Sequence, residues 1–190
     1  HILMFFVIAA IYYTVFSIPS SKISSRFGVK HTMLMSLPLL VVYYLGLNYL
    51  NPGSILYYIL PGVASAHSAL FNIAYHLNFI QHADRDKTAR QMTVLSIISS
   101  AVQFVSPFLG ALIIINSGFG ANFILGSVII LLSMLPLLLT EDVHEPMSFS
   151  VKDICKYMIS RKYLPMNLSY LGYAVESIIS RLLWPVFLIV

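Results

Sequence analysis

Charge is what this sequence has least of. Only 9% of its 190 residues are Asp, Glu, Lys or Arg, against about 25% in a typical soluble domain. Acids are scarcest, with seven Asp and Glu against eleven Lys and Arg. A soluble domain of this size could not hide a composition that is 58% hydrophobic, so that class is excluded and a polytopic membrane protein remains. The single cysteine, Cys155, excludes an internal disulfide framework and a cysteine-based metal site. There is no Gly-rich phosphate loop, no metal-spaced His/Glu cluster and no nucleophile motif, so nothing points to an enzyme, a metal or a cofactor. A net charge of +4 would suggest nucleic acid in a soluble chain. Here the position of the cations matters more than their sum, and no nucleic-acid partner is expected.

What the chain does have is long apolar runs. Six stand out, at roughly 2–19, 32–50, 55–80, 92–115, 122–139 and 167–190. Each is close to the ~20 residues that cross a bilayer as a helix, and backbone groups in lipid must bond within their own segment. The expected fold is therefore all-α, a membrane helix bundle. The intervening loops alternate in character. Ten of the eleven Lys/Arg fall in 20–31, 81–91 and 140–166, none falls in NPGS or NSGFGAN, and only Arg181 lies within a span. Cations are retained on the cytoplasmic side, so those three loops are expected to be cytoplasmic, the first helix to run inward and the last outward. A plasma (inner) membrane location is expected. The chain opens on His1 and ends on WPVFLIV, Trp184 to Val190, inside apolar runs, and reads as a fragment truncated at both ends.

The stretch 140–166 has a pattern of its own. Ser150 and Asp153 form a capping box, and Val151, Ile154, Cys155, Met158 and Ile159 make one apolar stripe before Pro165. This predicts an amphipathic helix on the cytoplasmic face. The implied organisation is a transmembrane bundle over 1–139, a linker over 140–166 and the first helix of a second bundle over 167–190. Within the first part, Ser25-Arg26-Phe27-Gly28 and Ser117-Gly118-Phe119-Gly120 both read S-x-F-G at the opening of an apolar helix. They lie three helices apart, the signature of an inverted repeat.

The basic stretch 21–31 resembles the loop motif G-x-L-a-D-R-x-G-R-K of the major facilitator superfamily. Ile23, Arg26, Gly28 and Lys30 match; Ser21, Ser25 and Val29 depart, and Ser25 replaces the acidic partner of that family's cytoplasmic latch. Ser106-Pro107-Phe108-Leu109-Gly110-Ala111 resembles the family's G-P-x-x-G-G packing motif through Pro107 and Gly110. The resemblance implies helices two to seven of a twelve-helix secondary transporter, working by alternating access on a small solute with an ion, the proton, as coupling partner. The alternatives are a transporter-like scaffold without transport and a drug-type efflux antiporter.

Polar residues inside the spans are the candidate site. Glu176 lies near mid-membrane on a face shared with Ser169, Tyr173 and Ser180. It is read as a coupling or substrate carboxylate, or as a structural ion-pair partner. Arg181 either binds an anionic solute or snorkels. Ser65, Ser68, Asn72 and His76 fall on one helix face. The serines suit helix packing, and Asn72 and His76 suit a cavity or gate. Gln103 is a candidate for hydrogen bonding to solute, and His67 reads as a packed, hydrogen-bonded histidine.

Overall fold

The computed structural model describes residues 2–51, 53–82, 87–140, 156–157 and 159–178. All of its elements are helices: α1 (Ile2–Phe27), α2 (Val29–Leu47), α3 (Leu56–His82), α4 (Thr88–Leu132), α5 (Met134–Leu138) and α6 (Leu164–Ile178). The chain divides into two compact units, His1–Pro146 and Met147–Val190. The first holds α1 to α5 and the second holds α6.

The stretch expected as a loop over 20–31 is almost entirely helical. α1 continues through Pro19 to Phe27, and Gly28 alone leaves the helical region, at φ 87° and ψ 161°. The serines explain why no loop is needed. Ser21 and Ser25 donate back to the carbonyls of Ile18 and Lys22, at 2.7 and 2.9 Å, so their hydroxyls are satisfied inside the helix. Only the left-handed residue must be glycine, because a Cβ is disfavoured at that φ.

The stretch NSGFGAN is likewise no loop. It breaks at one residue, Gly118, at φ 81° and ψ 173°. There α4 doubles back. Gly110 and Asn122 would stand about 18 Å apart along a straight helix, yet a Cβ on Gly110 would lie 3.8 Å from Asn122 Oδ1. The two breaks correct the expected repeat register. Gly28 is the fourth residue of its S-x-F-G and Gly118 the second, so the four-letter match does not superpose on the geometry. The conformationally equivalent residues are Gly28 and Gly118. Past the second break the chain stays near-helical to Leu138. Its interruption at Ser133 lies just before Pro136, whose missing N–H leaves the carbonyl of Leu132 without its helical donor.

Among the described residues, three stretches are long and apolar enough to cross a membrane: Met4–Phe27, Val29–Leu47 and Thr88–Leu138, the last spanning 51 residues. The fold at Gly118 divides that last stretch into two passes. α3 has the length, at 27 residues, but its Ser, Asn and His side chains lower its hydropathy. Its position accounts for this, since α3 has a neighbour on each of two sides. Phe5 meets Tyr57 with ring centroids 5.6 Å apart, and Ser65 Oγ donates to the carbonyl of Ala9 at 2.7 Å, so α1 runs parallel to α3. α2 runs antiparallel: Gly46 faces Leu60, Ser36 faces His67, and Val29 and Met33 pack on Ala74. The segment 119–138 then runs antiparallel along α2, with Gly120 beside Asn48, Phe123 beside Tyr44 and Leu137 beside Val29 and Met33. These directions gather Lys22, Arg26 and Lys30 at one end of the unit. Lys87 and Arg90 follow α3 at that same end, called the basic end below.

The contacts are made by small residues. Ser20, Ser24, Thr32, Ser36, Ser65, Ala69, Ala74 and Ser127 are all buried. Between membrane helices such residues permit close backbone approach where no hydrophobic force drives association. The tightest point is Gly46, where an added methyl would overlap Leu60 Cδ2. Leu60 is only 2% exposed and has no room to swing away. Gly46→Ala is therefore expected to cost about 1–3 kcal/mol by overpacking, read as a lower Tm in detergent. Leu60→Ala in the same chain should recover part of the loss, and a Gly46→Ala Tm equal to wild type would contradict this packing.

Candidate functional site

The basic end carries the motif residues of 21–30. Gly28 caps α2 without any side-chain hydrogen bond. Ser25, in the acidic position of the family motif, turns away to Lys22 and does not cap the next helix. Arg26 lies over the ring of Phe27, 5.6 Å from its centroid. Lys30 makes the long-range connection. Its Nζ donates to the carbonyls of Leu138 and Thr140, both at 2.7 Å. The first carbonyl belongs to the last residue of α5 and the second lies just past its C-cap, Leu139, at the negative end of the helix, so a cation is well placed there. One lysine thus ties the start of α2 to the end of the 119–138 pass. This pairing could not be read from residue types, because a carbonyl partner leaves no mark in side-chain identity.

The predicted polar stripe on α3 splits into two environments. Ser65 is buried and bonded to α1, and Ser68 lines a small recess with Ala9, Ala10 and Thr14. Asn72 and His76, by contrast, are exposed. They share one face with Tyr75 and Ile80, which are also exposed. His67 is half-buried, with Nδ1 2.9 Å from the carbonyl of Ser36. A carbonyl can only accept, so this nitrogen carries the proton. His67 also begins a ladder of rings along α3, stacking on Phe71 at 5.6 Å, which stacks on Tyr75 at 5.9 Å.

In the first half of α4, Gln103 donates from Nε2 to Ser99 Oγ at 3.0 Å, and Ser106 bonds the carbonyl of Val102. Pro107 lies inside the helix and Gly110 faces Asn122 at the fold-back. The structure thus sets Gly110 against the returning stretch of helix at Asn122 and keeps Gln103 on an exposed helix surface.

In the second unit, Pro165 occupies the first turn of α6, where a missing N–H costs nothing. Ser169 and Tyr173 line a recess of about 470 Å³ with Met166 and Tyr170. Glu176 is on α6 and exposed. Arg181 and Ser180, together with Ser150, Asp153 and most of the predicted amphipathic stripe, lie outside the described residues; Lys156, Tyr157 and Ile159 of that segment are helical.

Among the described residues no group of His, Cys, Asp and Glu is arranged to hold a metal. Helices of crossing length, packed through small residues and carrying a few polar side chains on one central helix, define an integral membrane helix bundle. The family model for the Major Facilitator Superfamily matches residues 2–189, and the chain belongs to that superfamily. Its members are transporters that bind small solutes within the membrane. No individual curated protein and no solved structure matches this chain.

The Lys30 connection has a direct test. Lys30→Met removes both bonds, worth about 1 kcal/mol at an exposed site. The amides of Leu139 and Thr140, bonded to the carbonyls of Pro136 and Leu137, should then exchange hydrogen about fivefold faster. Exchange indistinguishable from wild type would show that Lys30 does not hold this turn.

Proposed function

We propose that this chain carries out secondary active transport of a small solute by alternating access, with a proton as the coupling ion. The supporting observation is the exposed pair Asn72 and His76 on α3. An exposed amide and imidazole on a helix inside hydrocarbon must meet a water-filled path or a polar partner. A solute path satisfies that need and fits the activity of the superfamily. In this reading the basic end faces the cytoplasm, an orientation the cation asymmetry supports, and the membrane is the plasma (inner) membrane. Residues 1–139 belong to one rocking bundle, 140–166 link it to a second, and 167–190 begin that second bundle. Glu176 carries the coupling proton, because a carboxylate on a membrane helix can be loaded and unloaded at a cost the gradient can meet. Arg181 and Gln103 are further solute-binding candidates.

The test is uptake into proteoliposomes under an imposed pH gradient, using whichever compound a vesicle screen identifies. Glu176→Gln is expected to abolish gradient-driven accumulation while leaving downhill flux. Asn72→Ala and His76→Ala should each weaken apparent affinity about tenfold, one hydrogen bond's worth, with Tm unchanged. Accumulation by Glu176→Gln equal to wild type would remove it from coupling. Movement of no compound under any ion gradient would favour a non-transporting scaffold. Extrusion of amphipathic drugs in exchange for protons would favour an efflux antiporter, the reading that the Pro107 and Gly110 motif supports.

A further inference from the structure

We propose that the cleft between the basic ends of α3 and α4 binds an anionic glycerophospholipid, its phosphate at the mouth and one acyl chain along α4. The cleft has a volume of about 570 Å³, and its lining changes character with depth. Lys87, the N-cap of α4, and Arg90, in its first turn, form the mouth. They are joined there by the positive end of the α4 dipole. One to two turns further along α4 the walls are Val94 and Leu95, faced from α3 by the rings of Tyr75 and Phe79 and by one amide, Asn78. Two cations at one end and a mainly apolar wall beyond them match a phospholipid better than a small water-soluble anion.

Two further observations support this. Gln91 sits at the boundary between the charged and apolar zones, and its Oε1 is buried with no hydrogen-bond donor. An unpaired buried acceptor is costly, and a turn of this amide toward the cleft would let a headgroup hydroxyl supply the missing donor. The apolar wall also continues beyond the cleft. Val94, Leu95, Ile98 and Val102 are all exposed and lie at helical spacing on one side of α4. From Gln91 to Val102 this track is about 16 Å long, roughly half the ~30 Å hydrocarbon core and so about the depth of one leaflet. A phosphate alone would need no such track. Asp84 and Asp86, the acids nearest in sequence, lie outside the described residues.

Basic pockets at helix ends recognise acidic headgroups, with about 1 kcal/mol for each cation near the surface. For Lys87 and Arg90 together this converts to about 30-fold in affinity. The experiment uses the purified protein in nanodiscs of phosphatidylcholine doped with phosphatidylglycerol, with bound lipid counted by native mass spectrometry. Wild type should retain phosphatidylglycerol over phosphatidylcholine, and Lys87→Gln with Arg90→Gln should weaken that retention about 30-fold. Lys22→Gln with Lys162→Gln, an equal loss of charge elsewhere, should leave it unchanged. Gln91→Leu should reduce the preference for phosphatidylglycerol over phosphatidic acid, which lacks a headgroup hydroxyl. Equal retention by the Lys87/Arg90 variant, at a Tm equal to wild type, would overturn the proposal. So would equal loss in the control variant, which would mean bulk charge, or displacement of the lipid by millimolar inorganic phosphate, which would mean a simple anion site.

Discussion

The close approach of α3 to α1 and α2 is the constraint on which the rest of the first unit depends. In a bilayer, lipid tails are as apolar as leucine, so helices associate through contact and hydrogen bonding. Contact requires small side chains, and α3 meets its neighbours through Ser65, Ala69 and Ala74, with Gly46, Ser36 and Thr32 opposite or nearby on α2. The hydroxyls on these surfaces need not cross the interface to be satisfied. Thr32 bonds back to Gly28 and Ser36 to Met33, both at 2.7 Å. Polar residues therefore serve as small residues here. Further along α3, Asn72 and His76 are exposed polar groups outside this packing.

The apolar segments were legible in the sequence because hydrocarbon imposes a length and a composition on every crossing. Their boundaries were not. A run of Ser, Lys and Arg such as 20–26 looks like a loop because it is polar, yet each of those residues is compatible with helix. Once Ser21 and Ser25 bond to the preceding turn, the helix continues to the first residue that cannot be helical. That residue is Gly28, and its counterpart is Gly118, not Gly120. Four letters of sequence could not tell which glycine carries the positive φ, because both fit the pattern. The stripe on α3 was legible as a face, but its change of setting along the helix was not. Helical spacing placed Ser65, Ser68, Asn72 and His76 on one face, but the neighbour covering that face changes along the helix.

The basic end collects the features that composition alone made conspicuous, and each cation there has a distinct setting. Arg26 lies on Phe27, Lys30 closes the last turn of α5, and Lys87 and Arg90 form the mouth of a cleft. The motif that resembles the superfamily's latch keeps its glycine and its last cation, and Ser25 in the acidic position takes no part beyond its own helix. What remains of that motif acts as a structural tie between two passes.

The central claim is that α3 has a packed side and a water-facing side, and that the latter carries Asn72 and His76. Aqueous thiol labelling of the reconstituted protein tests it most directly. In a Cys155→Ser background, Asn72→Cys and His76→Cys should react with a charged methanethiosulfonate reagent added to the water phase. Ala69→Cys and Ala74→Cys, at positions with no exposure, should stay unreactive. Labelling at all four sites, or silence at positions 72 and 76, would contradict the account.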